Sequence, residues 1–385
     1  MNIWGSFPNF PDDSLNEIMN DIRLVLTSGR LTDGPFVQQF EKQFAQYNHT
    51  KYAVAVNSGT AALDVALRHY KLKGREVVVP TNTFISTPNA VIFAGGKPVF
   101  ADMNESTLGV DVEDLKRKVT SKTAGVIVVH IAGLVCPQIE DLKEFCEERG
   151  LFLLEDAAHA HGAMKGERKA GTFGDAGCFS FYPTKVMTSG EGGMIITDNS
   201  ELAEEARCLR TCGQNAERQA VMLGHNWRLS EIAAVVGKHQ LEHLEEFIAK
   251  RNQVAKWYEE VLADVKGVSL FKVPPNFRHS YYKYPVKLAE GIDRLKLAAS
   301  LKDKYDIETG HVYYPPCHLQ PYYLQAFGTR MGDLPTSERV LKQVMCLPMH
   351  AAVTEENVHY IRDALASSIN KLATKQIQAV LPNAS

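Results

Sequence analysis

The chain has 385 residues, 45% of them apolar and 23% charged, with 42 Lys and Arg against 45 Asp and Glu for a net charge of −3. That balance is of a globular protein and excludes general binding to polyanions. No apolar run is long enough to cross a bilayer, and the opening MNIWGSFPNFPDD lacks the basic and apolar regions of a secretory leader.

In chain order, apolar residues at Leu15, Ile18, Ile22 and Val25 predict a helix over 11–28, capped by Asp12, Asp13 or Ser14 and ended by Gly29. The turn Thr32-Asp33-Gly34-Pro35 precedes a second amphipathic helix over 37–47. Residues 52–56 read as a strand that runs into Asn57-Ser58-Gly59-Thr60 and a helix to about residue 70. A strand, a small-residue turn and a helix start make either a plain Ser58 cap or a seat for a phosphate, with free N–H groups and the helix dipole facing the anion. A strand over 76–79 leads to Phe84, a helix to about residue 93, and a strand over 98–101. A helix from Asp111, a strand over 125–130, a helix over 139–149 and a strand over 151–155 continue the alternation. Repeated βα units with apolar strands predict a mainly parallel sheet covered on both sides, with ligands beyond the strands' carboxyl ends.

The central stretch begins with CFSFY, read as a strand over 178–182, and closes on a glycine-rich turn before the strand GMIITD. Between them lies Lys185. Burial lowers a lysine's pKa, and a neutral amine forms a Schiff base with an aldehyde or ketone. Ser180, five residues earlier, can offer a hydroxyl to a phosphate. Asp156 ends the strand 29 residues before Lys185. A lysine facing a carboxylate at a strand end is what pyridoxal phosphate needs, the acid keeping its pyridine nitrogen protonated.

A helix over 200–210 follows, then a long helix over 232–249 and another over 250–265. The domain boundary is expected near Ala249, giving a large domain over 1–249 and a small one over 250–385. The small domain is expected to hold strands over 280–288 and 307–312, a helix over 294–304, and a last helix from Thr354 with Val358, Ile361, Leu365, Ile369 and Leu372 on its apolar face. The tail after Lys375 is expected to be loose. Seven cysteines without paired CxxC spacing predict reduced thiols and a cytoplasmic location.

The strings EDAAHAHGA, FSFYPTK and GEGG resemble the DegT/StrS-type sugar aminotransferases, fold-type-I pyridoxal-phosphate enzymes. The resemblance extends through SGRLTDGPFVQQFEKQFAQY, AVAVNSGTAALDVAL, GHNWRLSEIAAVVGKHQLEHL and VMCLPMH, covering residues 28 to 365. It implies an aspartate-aminotransferase-like α/β large domain, a smaller α/β domain, and a homodimer with shared active sites. Lys185 would be the catalytic lysine and Asp156 the ring acid. Gly59, Thr60 and Ser180 would hold the cofactor phosphate, and Phe84 would stack on the ring or pack in the core. His159 would approach the ring hydroxyl, and Asn226 would reach the neighbouring subunit's cofactor phosphate. His130 is left outside the site. His225 departs from the family's usual aromatic. Arg228 could bind a donor carboxylate or be a solvated charge, and Tyr313, Tyr314 and His318 could bind sugar or pack. The reaction implied moves an amino group from glutamate or glutamine to a keto-sugar or keto-cyclitol in aminosugar biosynthesis. The alternatives are a pyridoxal-dependent sugar dehydratase, which Lys185 disfavours because related dehydratases carry histidine there, and a non-catalytic regulator that kept the fold. Nucleic acid, membrane and metal are not expected as partners.

Overall fold

In the computed structural model, which describes residues 2–380, two helices lead into a run of βα units. They are α1 (Asp12–Ser28), α2 (Pro35–Asn48), β1 (Tyr52–Val56), α3 (Gly59–Arg68), β2 (Glu76–Pro80), α4 (Ser86–Phe93), β3 (Lys97–Ala101), α5 (Val112–Lys118), β4 (Thr123–Val129), α6 (Ile139–Glu148) and β5 (Phe152–Asp156). Two short strands, β6 (Met164–Lys165) and β7 (Arg168–Lys169), precede β8 (Ala176–Ser180), β9 (Gly193–Thr197) and α7 (Ser200–Arg210). The chain goes on through α8 (Glu231–Glu242), α9 (Leu244–Leu262), β10 (Val268–Leu270), β11 (Phe277–Arg278), β12 (Tyr284–Leu288) and α10 (Arg294–Tyr305). It ends with α11 (Pro321–Phe327), α12 (Pro335–Val340), β13 (Val344–Leu347) and α13 (Glu355–Val380).

The seven-stranded sheet has the order β1-β9-β8-β5-β4-β2-β3. Its pairings are parallel from β3 across to β8, and β9 alone runs against both its neighbours. Alternate strand residues feed two cores. Ala53, Val78, Val128 and Leu153 pack under α2, α6 and α8 through Phe40, Phe44, Leu142 and Leu241. Val54, Val77, Val79 and Leu154 pack under α3 and α7 through Ala62, Leu67 and Leu202. A third core joins Val254 and Tyr258 of α9 to Val286, Leu301, Met345, Val358 and Ile361, and takes in Ile3 from the other end of the chain.

Several elements differ from their sequence expectation. The first helix has no side-chain cap; Pro11 holds the cap position, and Asp12 and Asp13 lie in the first turn, where their charge still favours the helix N-terminus. The helices expected over 232–249 and 250–265 instead break at His243 (φ −99°, ψ 2°), and α9 runs unbroken through residue 249. No Gly or Pro marks that break, so apolar spacing alone misplaces it. The central strand ends at Ser180 rather than residue 182. The strand expected over 307–312 is reduced to single bridges from Ile307 to Ile3 and from Gly310 to Cys346. The last helix continues past Lys375 to Val380, and residues 381–385 lie outside the described residues.

Candidate active site

A cavity of about 410 Å³ opens beyond the carboxyl ends of the parallel strands. Gly59, Thr60, Phe84, Asp156, His159, Ser180 and Lys185 all line it. Asn226 does not; it sits on the loop before α8, bridged to Thr211.

At one part of the wall, α3 starts directly after β1. Ser58 is its cap, its Oγ accepting the Ala61 N–H at 3.1 Å and its carbonyl the Ala62 N–H at 3.0 Å. Among the described residues this leaves the Gly59 and Thr60 amides unpaired at the helix N-terminus. A Cβ on Gly59 would lie 2.6 Å from Ser180 Cβ, so only glycine lets the helix start abut the end of β8. A Cβ on Gly193 would come within 2.3 Å of the Ser58 carbonyl. The cap and the anion seat therefore coexist: Ser58 closes the helix, while two amides and the Ser180 hydroxyl remain for a phosphate, and the Thr60 hydroxyl, which donates to Ser86 Oγ at 3.0 Å, lines the same cavity.

Asp156 is buried at the end of β5. Thr87 Oγ1 donates to its Oδ2 at 2.7 Å and the Ala158 N–H to its Oδ1 at 3.2 Å. Because the Thr87 proton is given to Asp156, Thr83 Oγ1, 2.7 Å away, is the donor to Thr87. Burial pushes the Asp156 pKa up, against the pull of Thr87, Ala158 and Lys185. A cationic ring N–H placed there would compensate the buried carboxylate. Lys185 follows the turn after β8, its Nζ 4.6 Å from the centre of the Tyr282 ring. Burial lowers its pKa, which makes the neutral nucleophilic amine more accessible.

His159 accepts the Ala132 N–H at Nδ1 (3.3 Å), so Nε2 carries the proton and donates to the Tyr313 hydroxyl at 2.8 Å. Its ring also packs on Tyr282 with centroids 4.2 Å apart. Burial holds its pKa well below the usual value, so it is neutral near pH 7. Phe84 is 52% exposed and 5.7 Å from the Tyr313 ring, which rules out a place in the core.

The open alternatives elsewhere divide. His130 is fully buried between Glu155 Oε2 (2.7 Å) and the Cys136 N–H (3.1 Å), a structural role. His318 is likewise buried, between Thr81 (2.7 Å) and Glu338 (3.1 Å). His225 stacks on Trp227 with centroids 4.0 Å apart. Arg228 faces Asp33 at 3.7 Å. Thr87, Thr184, Tyr282 and Lys283 belong to the site and were missed in the sequence. The one available signal was a pair of threonines, 83 and 87, one turn apart and both buried where α4 begins.

The donor set fits pyridoxal phosphate: an amine for its aldehyde, a buried acid for its ring nitrogen, and a helix start with two hydroxyls for its phosphate. Fold and site together define a pyridoxal-phosphate-dependent enzyme of the aspartate-aminotransferase-like class.

Comparison with known proteins narrows the class. The model of the DegT/DnrJ/EryC1/StrS aminotransferase family matches residues 12–366, and the chain belongs to that family. It is a pyridoxal-phosphate-dependent transaminase. The spore coat polysaccharide biosynthesis protein SpsC of Bacillus subtilis is 35% identical over 365 residues, 91% of this chain and 93% of its own. The GDP-perosamine synthase of Caulobacter vibrioides is 36% identical, over 86% of this chain and 90% of its own. The crystal structure of S. venezuelae DesV, in complex with a ketimine intermediate, superposes with a TM-score of 0.87 at 32% identity, over 94% of this chain and 98% of its own.

Proposed function

We propose that the enzyme transfers an amino group from glutamate or glutamine to a keto-sugar carried on a nucleotide, in aminosugar biosynthesis. Relatives named for GDP-perosamine and for a dTDP-aminosugar support a nucleotide-linked acceptor. The observation that carries the reading is the convergence of Lys185, Asp156 and the Gly59–Thr60–Ser180 seat on one cavity.

When bound, pyridoxal phosphate supplies an electron sink for the pair released as the donor's Cα–H bond breaks. Lys185 would hold the cofactor through its Nζ and, once its amine is free, would take the proton from the donor's Cα. Asp156, oriented by Thr87, keeps the ring nitrogen protonated. The Gly59 and Thr60 amides with the Thr60 and Ser180 hydroxyls would hold the phosphate, and Phe84 would cover the ring. His159, whose Nε2–H donates to the Tyr313 hydroxyl, would offer that proton to the ring hydroxyl. Asn226, outside its own chain's cavity, serves the phosphate of a second copy, so the working form is a homodimer. The described residues from 250 onward form a small domain, supported by a core that Ile3 joins, and bring Tyr282, Lys283 and Tyr313 to the cavity. Seven unpaired cysteines fit work in the cytoplasm. Among the described residues no helix is long and apolar enough to cross a membrane.

The test is the visible spectrum of the purified protein on adding glutamate and then glutamine. The expected result is a yellow band that bleaches with one donor and returns with the right keto-sugar. A spectrum that neither donor alters, or that Lys185→Ala leaves unchanged, overturns the reading.

A further inference from the structure

Lys283 is a cavity-lining cation with no counter-charge. Its Nζ donates to the His311 carbonyl at 2.5 Å, which uses one of its three donors. Among the described residues it forms no ion pair. The acids of the same cavity are committed elsewhere or distant from need: Asp156 is held by Thr87 and Ala158, and Glu191 is exposed to water. Two aromatic rings flank the ammonium, with the centroids of Tyr282 and Tyr313 each 5.6 Å from Nζ. The Tyr282 ring is the same one that Lys185 Nζ approaches to 4.6 Å.

A second cation stands behind it. Arg294 is 8% exposed, its guanidinium lies 5.5 Å from the Tyr314 ring centre, and its Nε has no partner. After burial, Lys283 and Arg294 are the groups that hold the His311 pKa down, so both act on the same short loop. Partly desolvated positive charge without a partner is costly, and an incoming anion removes the cost. Lys283 lies on a different segment from the Gly59–Thr60–Ser180 seat, with Arg294 outside the cavity lining, so the cofactor phosphate does not account for its charge.

We propose that Lys283 is the anion anchor of the substrate site, binding an oxyanion of the molecule that reacts: the carboxylate of the amino donor or the phosphate of the acceptor. This rests on the transamination reading above. Donor and acceptor use one cavity in turn, so a single cation placed beside the reacting lysine can orient either.

The experiment compares wild type, Lys283→Met and Lys283→Arg, all loaded with cofactor. Calorimetry measures binding of glutarate, an unreactive dicarboxylate, and of GDP, dTDP and UDP. Stopped-flow spectra give the donor half-reaction with glutamate and glutamine. The expected result for Lys283→Met is a rise of about tenfold or more in the dissociation constant of one probe class, as when a charged hydrogen bond is lost. The donor half-reaction then shows any change in KM rather than in the rate at saturation, and Lys283→Arg recovers most of the affinity. Weakened glutarate assigns a carboxylate; weakened nucleotide assigns a phosphate. Unchanged binding of every probe by a variant with wild-type spectrum and melting temperature overturns the proposal, as does a fall in the saturating rate alone. A wild-type protein that no donor bleaches would instead overturn the transaminase assignment, so the two failures are distinct.

Discussion

Thr87→Val removes one hydroxyl while keeping shape, and the cost can be worked from the contacts. Thr87 Oγ1 donates to Asp156 Oδ2 at 2.7 Å in a buried setting, and Thr83 Oγ1 donates to Thr87 in turn. A hydrogen bond to a charged group is worth about 1.5–3 kcal/mol, and the Thr83 hydroxyl loses its acceptor as well. At roughly 1.4 kcal/mol per tenfold, cofactor affinity and kcat/KM should fall about 10- to 150-fold. Burial already raises the Asp156 pKa, and Thr87 is the largest influence opposing it, so the valine variant should raise that pKa further. The acid limb of cofactor binding then moves to higher pH. Thr87→Ser keeps the donor and should recover most of both effects. The assay is absorbance titration of apo-protein with pyridoxal phosphate across pH, followed by steady-state kinetics. Valine behaving as wild type in affinity and acid limb would refute the role given to the Thr83–Thr87–Asp156 chain.

Two further outcomes follow from the structure. Burial lowers the Lys185 pKa below its ordinary 10.5, so the folded apo-protein bears a cost for the charged amine; the cost is full below the folded pKa and fades as pH rises towards 10.5. Apo Lys185→Met should therefore melt above apo wild type near neutral pH, with the difference shrinking in alkali; a constant difference would contradict the burial argument. Glu231, fully buried, accepts the N–H groups of Gly34 (3.0 Å), Phe36 (2.9 Å) and Val37 (3.0 Å) and so caps α2 from a distant part of the chain. Glu231→Gln should lose about 2 kcal/mol or more in chemical denaturation, and an unchanged midpoint would show that water serves those donors instead.

The sheet and its helices were legible because local sequence encodes them: the short apolar run 52–56 is a strand, and the Glu- and Ala-rich stretch 200–210 is a helix. The site was legible where a residue type is rare in its setting, as with a lysine after an apolar strand or a glycine at a helix start. Thr87, Tyr282 and Lys283 were not legible, because their meaning comes from what the fold brings opposite them. Thr184 and Tyr282 are 98 positions apart in sequence, yet their hydroxyls lie 3.1 Å apart. The helix break at His243 was hidden for a different reason: nothing in the residue types there forbids helix, and Leu241 before the break and Leu244 after it pack into the same core.

Glu155 and Asp156 are neighbours in β5, and the pleat sends them to opposite faces. Glu155 accepts the His130 imidazole and the amides of Gly171, Phe173 and Gly174, at 2.6–2.7 Å each, and so ties the hairpin after β5 to the sheet. Asp156 lines the cavity instead. The alternation thus sorts two like charges, one methylene apart in length, to the hairpin on one face and the cavity on the other. Sliding β5 by a single position would put either Leu154 at the hairpin and Glu155 at the cavity, or Asp156 at the hairpin and Ala157 at the cavity, so one place loses its carboxylate and the other holds one of the wrong length. Loss of activity and loss of fold are coupled at this strand, and lengthening or shortening it by one residue should cost both together.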